Sequence, residues 1–184
     1  MNVVETELPG VVVVEPRVFG DDRGFFLELF HRARYGDDVF GADLEVVQIN
    51  RSHSVRGTLR GLHYQEPRAQ GKLVWVLEGT VRDVAVDIRR GSPSFGKHAV
   101  VDLTAGQHKQ VWVPPGFAHG FVVMSDEADF MYACTEAYAP ECEHSILWND
   151  PDIGIDWGIE DPILSEKDGR APRLADAAVL PRYR

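Results

Sequence analysis

Valine, isoleucine, phenylalanine and tryptophan recur along this chain in short runs, with Gly, Pro, Asn or Asp between them. GVVVVEPRVF, GFFLELF, LEVVQIN, KLVWVLEG, VRDVAVDI, HAVVDL, KQVWVPP, GFVVM, DFMYACT and HSILWND each fit a short strand bounded by turn formers. HRARYGDDV, near His31 to Val39, lacks strand alternation and predicts one short helix. No long helical pattern alternates with the strands, which argues against a parallel α/β sheet. Many short strands at regular spacing predict an all-β protein, an antiparallel sandwich or barrel. With no repeat and no low-complexity linker, residues 1–184 read as one domain. Its core is expected at about 45–150, with N-terminal strands ahead of it. The Pro/Asp/Gly-rich tail after Ile153 is expected to wrap the sheets as loop and short helix.

Composition narrows the function classes. The 184 residues are enough to bury a core without disulfides or metal. A formal net charge of -10 disfavours nonspecific binding to nucleic acid or to an anionic membrane surface. An anionic ligand therefore requires a local basic cluster. Cys134 and Cys142 lack metal-type spacing and read as free thiols of a reducing compartment. MNVVETELPG has no basic segment followed by an apolar one, as a signal peptide would, and no run of about 18 apolar residues occurs. The expectation is a soluble, cytoplasmic protein.

Five clusters carry polar residues into this apolar pattern. In RGLHYQEPRAQGK, His63 sits in a strand and Lys72 opens the next one. Arg60 and His63 would face opposite sides of a regular strand, so both reach one cavity only if Gly61 bulges it. VPPGFAHGF ends a P-x-G-x-x-H pattern at His119, a cupin-type signal. A metal reading would use His63 and His119 with Glu66 or Glu78, but the second histidine of an H-x-H pair is missing, so no metal is expected. The bland alternative for His119 is a turn residue bonded to the backbone.

In DFMYACT, Phe130, Tyr132 and Cys134 share one face, and Met131, Ala133 and Thr135 the other. Tyr132 is either packing or, with a base across the same cavity, a proton donor. Tyr138 suits stacking on a flat ring. Phe26 and Glu28 share a face, as do Gln48 and Asn50, which marks either a lined cavity or a solvated sheet face. ILSEKDGR, read by itself, is a charged surface loop.

Taken together, RGLHYQ, GKLVWVLEGTVRDVAVDIRRGSPSFGK, WVPPGFAHGF, ILWNDPDIGIDW and PILSEKD resemble the dTDP-4-dehydrorhamnose 3,5-epimerase family, from about residue 8 to residue 175. The resemblance implies a cupin-like jelly roll (a double-stranded β-helix) with short flanking helices. It also implies a homodimer, no metal or organic cofactor, and dTDP-4-keto-6-deoxyglucose as substrate. His63 matches the family's general base, Asp168 the carboxylate that orients it, and Tyr132 the general acid. Lys72, Arg60 and His119 match groups around the sugar and diphosphate. Arg23, Phe26, Glu28, Gln48, Asn50, Glu143 and Lys167 match substrate contacts, and Tyr138 the residue that stacks on thymine. Similar enzymes invert only C3 or only C5. Ala133 departs from the lysine of many relatives, but strand parity turns it away from Tyr132.

The chemistry fits these residue types. The C3 and C5 hydrogens flank a C4 ketone, so removing either one gives an enolate. Inversion then needs a base on one face of the sugar and an acid on the other. An imidazole, titrating near about 6.5 when unperturbed, suits the first task, and a phenol near about 10 the second. A cation near the ketone oxygen stabilises the enolate as its charge develops.

Overall fold

The computed structural model describes residues 1–41 and 45–183. Thirteen strands run in chain order: β1 Asn2–Glu5, β2 Val12–Glu15, β3 Val18–Asp21, β4 Gly24–Leu27, β5 Gln48–Val55, β6 Leu59–Gln65 and β7 Lys72–Glu78. They continue as β8 Thr80–Asp87, β9 His98–Thr104, β10 Gln110–Val113, β11 Phe117–Val123, β12 Glu127–Cys134 and β13 Glu143–Ser145. Two short helices, α1 (Arg32–Tyr35) and α2 (Glu166–Gly169), flank them.

Six strands form one sheet in the order β1-β2-β10-β7-β12-β5, and five form a second in the order β13-β6-β11-β8-β9. The named strands pair antiparallel, and β3 and β4 make a separate hairpin. The two sheets pack as a cupin-like jelly roll. Between them lie Val74, Val76, Val81, Ala85, Val111, Phe117, Phe121 and Phe130.

Many strands read as continuous apolar runs because both faces of a sheet are covered. In β7, Val74 and Val76 point inward, while Leu73 and Trp75 point outward under Tyr35 and Phe40. Those two aromatics come from α1 and from the π-turn Gly36–Phe40 that continues it, where one short helix is expected. In the other sheet, Val84, Val86, Ala118 and Val122 face outward and are covered by Ile153, Trp157, Leu174 and Ala177 of the tail. The tail therefore seals a sheet face, as its position after the last strand suggests.

Several boundaries differ from the pattern-based expectation. GVVVVEPRVF divides into β2 and β3 around Pro16, which has no N–H for a ladder. GFFLELF is strand only as far as Leu27. In LEVVQIN, Leu44 lies outside the described residues, and strand begins at Gln48, running on through Val55. That continuation, RSHSV, carries little apolar signal because its inward residues are serines.

Candidate active site

At one end of the sandwich, polar side chains replace the aliphatic filling and enclose a cavity of about 260 Å³. Arg60, His63, His119 and Phe121 line it from the five-stranded sheet. Ser52, Lys72, Phe130 and Tyr132 line it from the six-stranded sheet, and Ser165, Lys167 and Asp168 close it from the tail.

Arg60 and His63 share this cavity because β6 bulges. His119 pairs with His63 and Phe121 with Arg60, so two steps along β11 match three along β6. Gly61 takes φ +138 there, and a Cβ on it would lie 2.6 Å from the Cα of Gly120. A Cβ on Gly120 would in turn lie 2.8 Å from the Arg60 carbonyl oxygen. The glycines at both positions permit the close approach, and the extra residue rotates Arg60 onto the side of His63.

His63 is held from behind. Its Nε2 lies 2.6 Å from Oδ1 of Asp168, which is 3% exposed. Asp168 arrives from far along the chain because Ile163 bridges to Thr58 and exchanges backbone hydrogen bonds with Gly57 and Leu59. Ser165 then caps α2, accepting the Asp168 N–H at 3.1 Å. The sequence SEKD is thus no mere surface loop; its aspartate is buried. Burial alone would raise the Asp168 carboxyl, but hydrogen bonds from His63 and Ser165 outweigh it and hold it below the ordinary value. An ionised carboxylate only accepts, so Nε2 of His63 carries the proton and Nδ1 keeps the basic lone pair.

His119 has a parallel arrangement: its Nε2 meets Oδ2 of Asp83 at 2.7 Å, and its ring stacks near Phe130. It is a strand residue with a carboxylate partner, in place of a backbone-bonded turn residue. With each histidine committed to its own carboxylate, no three His, Cys, Asp or Glu side chains among the described residues are placed to hold a metal ion.

Across the cavity, Tyr132 points inward from β12 beside Phe130, while Ala133 packs on the outer face. Burial pushes its phenol above the ordinary value, and the charge of Arg60 only partly offsets this. Lys72 opens β7 opposite Cys134. Burial pushes its ammonium below the ordinary lysine value, with partial compensation from the neighbouring Cys134, Glu143 and Asp83. Arg60 is steadied by Ser54, whose hydroxyl accepts from Nε and Nη2 at 3.1 and 3.0 Å.

A recess of about 330 Å³ shares His63, Lys72 and Tyr132 with the cavity and opens past Gln48, Asn50, Gln70, Tyr138 and Glu143. Gln48 donates to Asn50 at 2.9 Å and accepts the Tyr138 N–H at 2.9 Å, so the shared face of β5 positions the Tyr138 segment. Tyr138 donates to Glu143 at 3.0 Å and leaves its ring 51% exposed. Lys167 pairs with Glu143 at 2.6 Å.

Arg23, Phe26 and Glu28 are not brought to this cavity within the chain. Arg23 pairs with Asp21 at the β3–β4 turn, Glu28 pairs with Arg34, and Phe26 is 69% exposed. Ser52, Ser54 and Asp83 were not singled out from the sequence. The two serines continue the parity of Gln48 and Asn50, a signal present in the sequence, whereas Asp83 is one of two aspartates among the valines of VRDVAVD.

A base, a protonated phenol opposite it and cations beside both equip this cavity for proton transfer at carbon next to a carbonyl. A family model described as dTDP-4-dehydrorhamnose 3,5-epimerase matches residues 5–176. The dTDP-4-dehydrorhamnose 3,5-epimerase of Shigella flexneri is 51% identical over 178 residues, covering 96% of this chain and 98% of that protein. That of Pseudomonas aeruginosa is 50% identical over 182 residues, covering 98% and 100%. The dTDP-6-deoxy-D-glucose-3,5-epimerase of Legionella pneumophila, solved in complex with dTDP-4-keto-L-rhamnose, has a TM-score of 0.95 and 49% identity. That match covers 100% of this chain and 98% of the other.

Proposed function

The chain belongs to the dTDP-4-dehydrorhamnose 3,5-epimerase family, and on that premise we propose how its cavity inverts C3 and C5 of dTDP-4-keto-6-deoxy-D-glucose. The product is dTDP-4-keto-L-rhamnose, the compound bound in the Legionella relative. Nδ1 of His63 removes the proton from C3 or C5. Asp168 fixes the tautomer and stabilises the imidazolium that forms. The electrons move onto the C4 oxygen, where Lys72 meets the developing charge with help from Arg60 and His119. Tyr132 returns a proton to the opposite face, inverting the centre, and its raised pKa keeps that proton in place until it is needed. Gln48, Asn50, Glu143 and Lys167 bind the nucleotide side, and the exposed Tyr138 ring stacks on thymine.

The single observation that carries this reading is the placement of His63 and Tyr132 on opposite sheets facing one cavity, with His63 backed by Asp168 at 2.6 Å. Arg23, Phe26 and Glu28 join the site from a second copy in a homodimer. Support comes from the β3–β4 hairpin, where Phe19, Phe25 and Phe26 are 50%, 62% and 69% exposed. The two free cysteines favour a reducing, cytoplasmic setting, and no helix among the described residues is long and apolar enough to cross a membrane.

Incubation with dTDP-4-keto-6-deoxyglucose in deuterated buffer, followed by NMR, tests the reaction. Deuterium and inversion are expected at both C3 and C5, and His63→Ala is expected to lose both. Exchange at one carbon alone would reduce the activity to a single-position epimerase.

A further inference from the structure

Three buried side-chain polar atoms among the described residues have no hydrogen-bond partner: Ser52 Oγ, Trp75 Nε1 and Ser145 Oγ. Of these residues, Ser52 lines the cavity. A buried hydroxyl without a partner is unfavourable, and in a folded protein it calls for a specific explanation.

The setting on β5 sharpens the point. Gln48, Asn50, Ser52 and Ser54 alternate onto one inward face, and the other three are engaged. Gln48 holds Asn50 and the Tyr138 N–H, Asn50 also reaches Cys134 Sγ at 3.9 Å, and Ser54 grips the Arg60 guanidinium. Ser52 lies between them, paired across the ladder with Phe130, while Asn50 is paired with Tyr132. The strand thus runs from the Tyr138 recess at Gln48 toward Arg60 at Ser54, and Ser52 stands in its inner half. The nearby Phe121 and Phe130 rings offer no polar atom to it.

The geometry points to Ser52 as a specificity-determining residue whose hydroxyl hydrogen-bonds a hydroxyl group of the bound hexose, at C2 or C3. The inference rests on the epimerase reading of the same cavity. A serine hydroxyl donates and accepts, and its rotor can follow a hydroxyl whose carbon inverts. A site built around such a bond rejects an analogue that lacks the partner, because the protein's own polar group is then left buried and unpaired.

The test compares wild type with Ser52→Ala on the native 4-keto sugar nucleotide and on its 2-deoxy and 3-deoxy analogues. Deuterium uptake at C5, which all three can undergo, gives kcat/KM, and dTDP affinity serves as a control for folding. Ser52→Ala is expected to lower kcat/KM about 10–100-fold on the native substrate while changing dTDP affinity less than about twofold. On one of the two analogues the variant and wild type should become equal, which identifies the hydroxyl. Equal activity on the native substrate would overturn the proposal. So would an undiminished loss on both analogues, or a parallel loss of dTDP affinity, since either marks a structural role. Failure of the wild-type chain to exchange C5 at all would instead strike the epimerase reading itself.

Discussion

Burial sets the charge of Lys72 against its environment. Its ammonium is held below the ordinary lysine value by desolvation, while the Tyr132 phenol is pushed above its own ordinary value by the same cause. As pH rises, Lys72 therefore surrenders its proton earlier than an ordinary lysine, and Tyr132 later than an ordinary tyrosine. If, as proposed, turnover needs the Lys72 ammonium, activity is expected to fall as pH climbs through its lowered pKa and to set the alkaline limb of kcat. Lys72→Arg, whose guanidinium stays charged throughout, is expected to reduce kcat yet carry that limb to higher pH. A limb left in place would assign it to another group. At this scale the sequence was partly legible. The Gly61 bulge that unites Arg60 with His63 could be inferred from strand parity and a glycine between two polar residues. The Asp83 partner of His119 could not, because an aspartate in a valine-rich strand gives no sign of which imidazole it will meet.

The connection between β8 and β9 shows an element held by a single carboxylate. Asp87 is fully buried and accepts from Arg89 Nε and Nη2 at 2.9 and 2.7 Å, Ser92 Oγ at 2.5 Å and Ser94 Oγ at 2.7 Å. The Arg89 guanidinium lies over Phe117 and Tyr183, fastening the C-terminal end of the chain to β11. Burial alone would raise the Asp87 carboxyl, but these donors bring it down to about 2. Because the folded pKa is depressed, the stabilisation is complete above the ordinary value of 3.8 and is lost as pH falls through about 2. The difference is worth about 2 kcal/mol. Asp87→Asn should lower stability by about 2–4 kcal/mol near neutral pH. Denaturant melts from pH 7 down to pH 2 should show that gap narrowing; a gap independent of pH would contradict the assignment. Elements with two apolar faces, such as β7 and β8, announced themselves in the sequence. The second half of β5 did not, because a strand that lines a polar cavity on one side and meets solvent on the other loses the alternation that marks strands.

At the scale of the molecule, the chain forms one cavity but leaves Arg23, Phe26 and Glu28 outside it, on or beside a hairpin with exposed phenylalanines. Strand parity alone does not tell which residues reach the cavity; the fold puts these three out of its reach within one chain. Chains carrying His63→Ala and chains carrying Arg23→Ala with Phe26→Ala should each be inactive alone. Coexpressed, they should recover up to about a quarter of wild-type activity, since half the dimers are mixed and each has one intact site. No recovery in mixed dimers would contradict the shared site.

The jelly roll's two sheets put the proposed base and acid on facing walls, and Tyr132→Phe probes that arrangement most directly. Phenylalanine fills nearly the same volume, so packing should change little. In deuterated buffer His63 should still wash deuterium into the substrate from its own face. Inverted product should fall by about 10²–10⁴-fold, the contribution of a positioned acid. Deuterium uptake with configuration retained is the expected result; inversion at the wild-type rate would mean that the proton comes from elsewhere.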